Sequence, residues 1–251
     1  MTEVFPRVAL VWMVLSAAPA LAIRPFITDD ARVVGDKLVQ LETWGTLEDG
    51  LLIQWVAPSF GPTEWLEVSV AFTHGAQLYD PAGAEEHAQP GPWGIAGPLV
   101  QAKFLVRHAE PNQLPGVAVA VGSLLPFGHA HLRAAPGFFL YAAITESLGE
   151  NERVLIHANL GVGVRSETTT DMSLLAGAGT QIRLFAGLHG VAELVYGDAF
   201  TGIDAFAVQG GFRYILNEHV QFDATVGGGV AGEPRPLWVS AGIRLVSADL
   251  W

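Results

Sequence analysis

From Lys37 onward the chain is written in alternation. In one stretch Leu66, Val68, Val70 and Phe72 take every second position, with Glu67, Ser69, Ala71 and Thr73 between them. Successive side chains of an extended strand point to opposite faces of a sheet, so such a run is a strand with one apolar and one mixed face. The pattern recurs in Lys37–Thr46, Leu51–Phe60, Val100–Arg107, Val117–Gly122, Phe138–Glu146, Arg153–Arg165, Met172–Leu184 and Leu188–Gly197. It continues on both sides of Leu216-Asn217-Glu218-His219 and ends in Leu237–Val246. These make about twelve strands of about ten residues each, the length a tilted strand needs to cross the hydrocarbon of a bilayer. An even count returns the chain to the side where it began. The short turns FGPTE, LGENE, LFAG and ILNEH fall on one side, the long segment His74–Pro92 falls on the other, and AEPNQLPG is a longer turn on the short side.

Which face meets water separates a soluble sheet from a membrane barrel. The apolar face carries Val, Leu, Ile, Phe and Ala almost continuously; in the second run Ile53, Trp55 and Ala57 read as that face. The other face mixes glycine and glutamine with charges of both signs and almost no lysine. A soluble sandwich would show bulk water a face rich in Lys and Glu. A glycine- and glutamine-rich face with mixed charges suits an enclosed interior where charges must pair. The chain is 50% hydrophobic and 15% charged, with mean hydropathy +0.35, yet its apolar residues are dispersed by alternation rather than gathered into an internal transmembrane helix. The expectation is an all-β chain forming one antiparallel transmembrane β-barrel of about 12 strands, closed so that no strand edge meets lipid. Trp44, Trp55, Trp65, Tyr79, Trp93, Tyr141, Tyr196, Tyr214, Trp238 and Trp251 fall mostly near strand ends, where interfacial girdles are expected.

The N-terminus reads separately. VALVWMVLSAAPALA has the length of a signal h-region and Ala20-Leu21-Ala22 fits a small-x-small cleavage pattern, although Arg7 is a lone cation opposed by Glu3. The organisation expected is a signal peptide at 1–22, a periplasmic lead-in at 23–36 and the barrel at 37–251; the alternative for the first segment is a membrane anchor. The absence of cysteine excludes both a lipobox and a disulfide framework. A net charge of -12, with the basic residues scattered, argues against nucleic acid as a partner.

Taken in order, RPFITDDARVV, VQLETW, GPTEWLEVSV, VAELVYG and GFRYILNEHVQFDATVGGGV resemble the recurring elements of the outer-membrane transporter family named for the MetA pathway of phenol degradation. The resemblance runs from Arg24 to about Arg244, most of the mature chain. It implies a single-chain barrel in the bacterial outer membrane that passes small compounds, aromatic or hydrophobic ones among them, with lipid and the barrel-assembly machinery as partners. Members usually finish on an aromatic that closes the last strand, whereas here Leu245-Val246 is followed by SADLW.

Candidate lumen-lining residues are Glu42, Glu67, Lys103, Arg107, Arg165, Arg183, Glu193, Arg213, Asp223 and Arg244. They can orient a solute, or they can form a salt-bridge network that satisfies the interior and sets its bore. Within this set, a turn at Asn217-Glu218 brings Arg213 close to Phe222 or Asp223, and an Arg213–Asp223 pair would brace the wall; in a wide channel each charge would instead be separately hydrated. His129 and His131 can share one face of an extended segment, but no nearby carboxylate or third histidine completes a metal site. Asp29-Asp30 resembles a cation site more weakly still; as an element of the family resemblance it implies a tie between the N-terminal segment and the periplasmic rim. Ser123, Ser166 and Ser173 lie beside no histidine or nucleophile elbow, so no enzyme, metal or cofactor is expected. The function expected is a channel for a small-molecule solute; the rival is a lumen-blocked structural or surface-interaction barrel.

Overall fold

The computed structural model describes residues 27–78, 93–129, 132, 136–166, 170–197, 204–232 and 235–247. They form twelve strands: β1 (Val39–Glu48), β2 (Leu51–Thr63), β3 (Leu66–Gln77), β4 (Gly94–Arg107), β5 (Gly116–Gly128), β6 (Gly137–Leu148), β7 (Val154–Ser166), β8 (Thr170–Phe185), β9 (Leu188–Tyr196), β10 (Ala205–Asn217), β11 (Val220–Gly232) and β12 (Trp238–Val246). Each pairs antiparallel with its sequence neighbours, and β12 returns to β1 from Gln40 opposite Val246 to Glu48 opposite Trp238, closing the barrel. The signal segment, Tyr79, His131 and Trp251 lie outside the described residues.

Closure turns the expected face assignment into a physical division. Leu140, Leu160, Phe206, Phe212, Phe222, Val226 and Val239 stand exposed on the outside, while Lys103, Glu67, His157, Thr145 and Arg213 are almost completely buried inside. An exposed apolar wall around a polar interior suits a hydrocarbon surround and is the reverse of a soluble domain.

The strand β2 departs from the expected pattern: Ile53, Trp55 and Ala57 face the lumen, not the outside. Register explains it. Asp49 and Gly50, both at positive φ, make a tight turn that places Trp44 opposite Trp55 and Thr46 opposite Ile53. Directly opposed residues share a face, and Trp44 shares its face with the lumenal Glu42, so Trp55 must follow. Outside, the exchanged Gln54 donates to Thr43 Oγ1 at 2.9 Å. The same tight turn breaks the expected split between short and long connections, because it lies on the side of the long ones. The long turn AEPNQLPG is accounted for by packing across its neighbour: Asn112 N–H donates to Ser147 O, and Asn112 Oδ1 accepts from Gly149 N–H.

Leu160, mid-strand and 64% exposed, marks the outer wall. Leu160→Arg is expected to destabilise the barrel in lipid by about 2–4 kcal/mol, read from the denaturant dependence of its heat-modifiable gel mobility. Wild type should show that mobility shift together with a β-type circular dichroism spectrum in detergent.

Candidate functional site

The segment expected to lie outside the barrel as a lead-in runs inside it. Thr28, Asp29, Asp30, Ala31, Arg32, Val33 and Val34 are all buried, and the chain leaves the lumen at Gly35 before β1 begins. Gly35 takes φ +102, and its carbonyl oxygen would lie 1.8 Å from a Cβ on Gly61. With Lys37 N–H donating to Gly61 O and Gly61 N–H to Leu38 O, the chain reverses tightly against β2 and folds back into its own barrel.

An extended segment without a strand partner carries backbone groups that must be satisfied locally. Wall side chains do so here. The Glu193 carboxylate accepts the N–H groups of Ile27 and Thr28 at 2.6 and 2.8 Å and is also bonded by Gln209. Asn159 accepts from Asp29 N–H and donates to Asp29 O, as a neighbouring strand would. Thr145 Oγ1 accepts from Ala31 N–H at 2.8 Å, and Glu67 accepts from Val34 N–H at 2.8 Å.

The side chains of the segment add charge. Lys103 Nζ lies 2.9 Å from Asp29 Oδ1, donates also to Oδ2, and reaches Asp30 O at 3.3 Å; Tyr141 donates to Asp29 Oδ2 at 2.6 Å. Arg32 pairs with Asp30 at 3.3 Å and with Glu152, in the β6–β7 turn, at 3.1 Å. Asp29-Asp30 therefore ties the segment to the barrel interior rather than to its rim. A lysine buried among strands needs carboxylates: Glu67 stands opposite Lys103 in the β3–β4 register, and the segment that precedes β1 adds Asp29.

Of the ten residues read as lumenal, Glu42, Glu67, Lys103, Glu193, Arg213, Asp223 and Arg244 are buried in the interior. Glu67, Lys103 and Glu193 hold the segment. Arg244 donates to Gln40 at 2.6 Å and stands 3.8 Å from Glu42. Arg213 is directly opposite Asp223 in the β10–β11 register and donates to Gln181. The other three sit at strand ends: Arg107 is exposed and donates to Pro115 O at 2.6 Å, Arg165 is half-buried opposite Asp171, and Arg183 is exposed opposite His189.

Beside the segment, toward the long connections, lies a cavity of about 330 Å³. Ile27, Thr28 and Asp29 form part of its boundary, and Trp44, Trp55, Phe139, Tyr141, Trp238, Leu99, Leu175 and Val195 line its wall. Trp44, Trp55, Tyr141 and Trp238 thus belong to the interior and not to a girdle. Trp65, Trp93 and Tyr214 remain on the exposed surface. Trp44 and Trp238 could have been placed from their parity with Glu42 and Arg244. The course of residues 27–34 carried no such signal, because the segment does not alternate.

Thr145 Oγ1 and His157 Nδ1 are 3.0 Å apart, a pairing that on an accessible surface would suggest a nucleophile and its base. Here both are fully buried beneath the segment and Thr145 already accepts from Ala31, so the pair supports packing.

Solved structures share this architecture. The chain superposes on an outer membrane channel from Pseudomonas putida F1 with a TM-score of 0.63 at 13% identity, covering 90% of this chain and 100% of that one. The KdgM porin in complex with disordered oligogalacturonate gives 0.57 at 9% identity, covering 82% and 98%. The NanC porin gives 0.52 at 8%, covering 84% and 100%. The likeness is one of fold. No protein-family model matches the chain, and no curated protein does.

Breaking one partner of a buried ion pair costs about 3–5 kcal/mol, since the other charge is left uncompensated. Lys103→Met is therefore expected to lower the unfolding temperature and to speed hydrogen exchange at the Ala31 amide, with Asp29→Asn in the same chain restoring part of the stability. Arg213 and Asp223 are tested by a double-mutant cycle: Arg213→Gln and Asp223→Asn should each destabilise, and the combined loss should be smaller than their sum. Additive or silent changes would mean that the two charges do not interact.

Proposed function

We propose that this protein is an outer-membrane channel for small, largely apolar compounds, aromatic ones among them, and that residues 27–34 form its constriction. The observation that carries the reading is the seating of this segment. It closes the lumen through side-chain hydrogen bonds and ion pairs, not through strand pairing, so it can be released without breaking the barrel. The exposed apolar wall supports a membrane location, and three structures of the same fold are named as a channel or porins. The aromatic cavity and the resemblance to the phenol-degradation transporter family support the solute class.

In this reading the chain is exported on a cleaved signal peptide at 1–22 and inserted by the barrel-assembly machinery, with the short turns facing the periplasm. The interior supplies a path rather than a catalytic group. Glu67, Lys103 and Glu193 hold the constriction, and Glu42, Arg213, Asp223 and Arg244 line the wall beyond it. The rival, a permanently blocked scaffold, draws its support from the depth at which Lys103 and Asp29 are buried.

Planar-bilayer recording separates the two. Wild type should give small or intermittent currents, and Lys103→Met, which frees the segment, should raise the mean conductance several-fold. A folded Lys103→Met barrel that stays silent at every voltage would leave the scaffold reading in place.

A further inference from the structure

Glu67, Lys103, Tyr141, Thr145, Asn159 and Glu193 hold residues 27–34 from strands, where alternation aims their side chains inward. Glu152 holds the segment from a turn. Its carboxylate accepts from Arg32 Nη1 through both oxygens, at 3.3 and 3.1 Å. No strand period directs a turn residue into a lumen, so the turn itself must do it.

The backbone of the β6–β7 turn is shaped for that aim. Gly149 takes φ +78, Asn151 +52 and Glu152 +54. Glycine and asparagine enter this left-handed region readily, whereas glutamate does so against a steric cost. Neighbours brace the turn on both sides: Asn112 Oδ1, from the β4–β5 turn, accepts from Gly149 N–H at 2.9 Å, and Arg183 N–H, from β8, donates to Arg153 O at 2.9 Å. A glutamate held in a strained conformation between two braces points to a use for its carboxylate outside the turn. Arg32 is where that carboxylate goes. The arginine is 5% exposed, its Nε lies 3.3 Å from Asp30 Oδ2, and its Nη2 makes no hydrogen bond among the described residues. Asp30 travels with the same segment and so cannot tie Arg32 to the wall. Among the described residues, Glu152 makes the only ion pair between Arg32 and the barrel.

We propose that Glu152 is a positioning residue for the constriction: from the β6–β7 turn it fixes Arg32, and with it the part of residues 27–34 nearest the short turns. Removing the carboxylate leaves a buried guanidinium with only its own segment to compensate it, which favours withdrawal from the wall. Strand pairing is untouched by that change. The seating of the constriction is thereby set by a turn at the end of the barrel, separately from the stability of the barrel wall. The inference deepens the channel reading, on which it rests for its effect on current.

The test reads hydrogen exchange at the Ala31 and Val34 amides, which flank Arg32, in the full-length protein in nanodiscs, beside unfolding temperature and planar-bilayer conductance. Glu152→Gly and Glu152→Asn both remove the carboxylate, and both suit a positive φ. Each should leave the unfolding temperature of the barrel unchanged or higher, speed exchange at the two amides about tenfold, and raise the mean conductance several-fold. Glu150→Gln, exposed in the same turn, should change none of the three. Arg32→Gln should speed exchange as Glu152→Gly does, and the double variant should go no further. Wild-type exchange in a folded Glu152→Gly or Glu152→Asn barrel overturns the proposal. So does a lowered unfolding temperature with exchange unchanged, or loss of the folded barrel in both variants, since either makes Glu152 a support of the turn alone. Additive effects of the Arg32 and Glu152 changes overturn it as well. Faster exchange without current at any voltage would sink the channel reading and leave the positioning role standing.

Discussion

A peptide backbone surrounded by hydrocarbon must satisfy its own hydrogen bonds, because no water is there to do it. The pairing of β12 with β1 meets that requirement: Ser247 N–H reaches Val39 O beyond the last paired residues, and no edge is left along the seam. Once the sheet is closed, alternation does the rest. Every other side chain faces outward, where most are apolar, and the remainder are confined together in the interior.

That interior creates the second requirement. Lys103, Glu67 and Glu193 are each too deeply buried to be left unpaired. The segment before β1 adds to what the wall gives them: backbone N–H groups for the two glutamates and the Asp29 carboxylate for the lysine. The dependence is mutual, since the buried segment has no strand to pair with and takes its partners from the wall. Held in this way, the segment belongs to no strand ladder, and its seat rests on side chains of the wall.

The apolar cavity next to the plug follows from register. A two-residue turn at Asp49-Gly50 fixes Trp44 against Trp55, and with it a face of β2 that by local hydropathy belongs in lipid. The barrel therefore contains both a polar lower lumen, where charges hold the segment, and an aromatic space beside it. These two environments share Asp29 and Tyr141, joined by one hydrogen bond.

Alternation by itself determined the strand count, the antiparallel order, the membrane-facing side of most strands and the inward direction of Glu42, Glu67, Lys103, Glu193, Arg213, Asp223 and Arg244, because a period of two is a local property of an extended chain. It brought Arg213 near Phe222 or Asp223 across a short hairpin, and the β10–β11 register, with its irregularity between Ile215 and Asn217, decides for Asp223. Two things were decided only by the tertiary structure. The Ile53, Trp55, Ala57 face turned inward because cross-strand pairing, not the hydropathy of one strand, sets which side is in. The path of residues 27–34 was set by partners far away in sequence, Lys103, Thr145, Asn159 and Glu193, which form a site only after the barrel has closed around them.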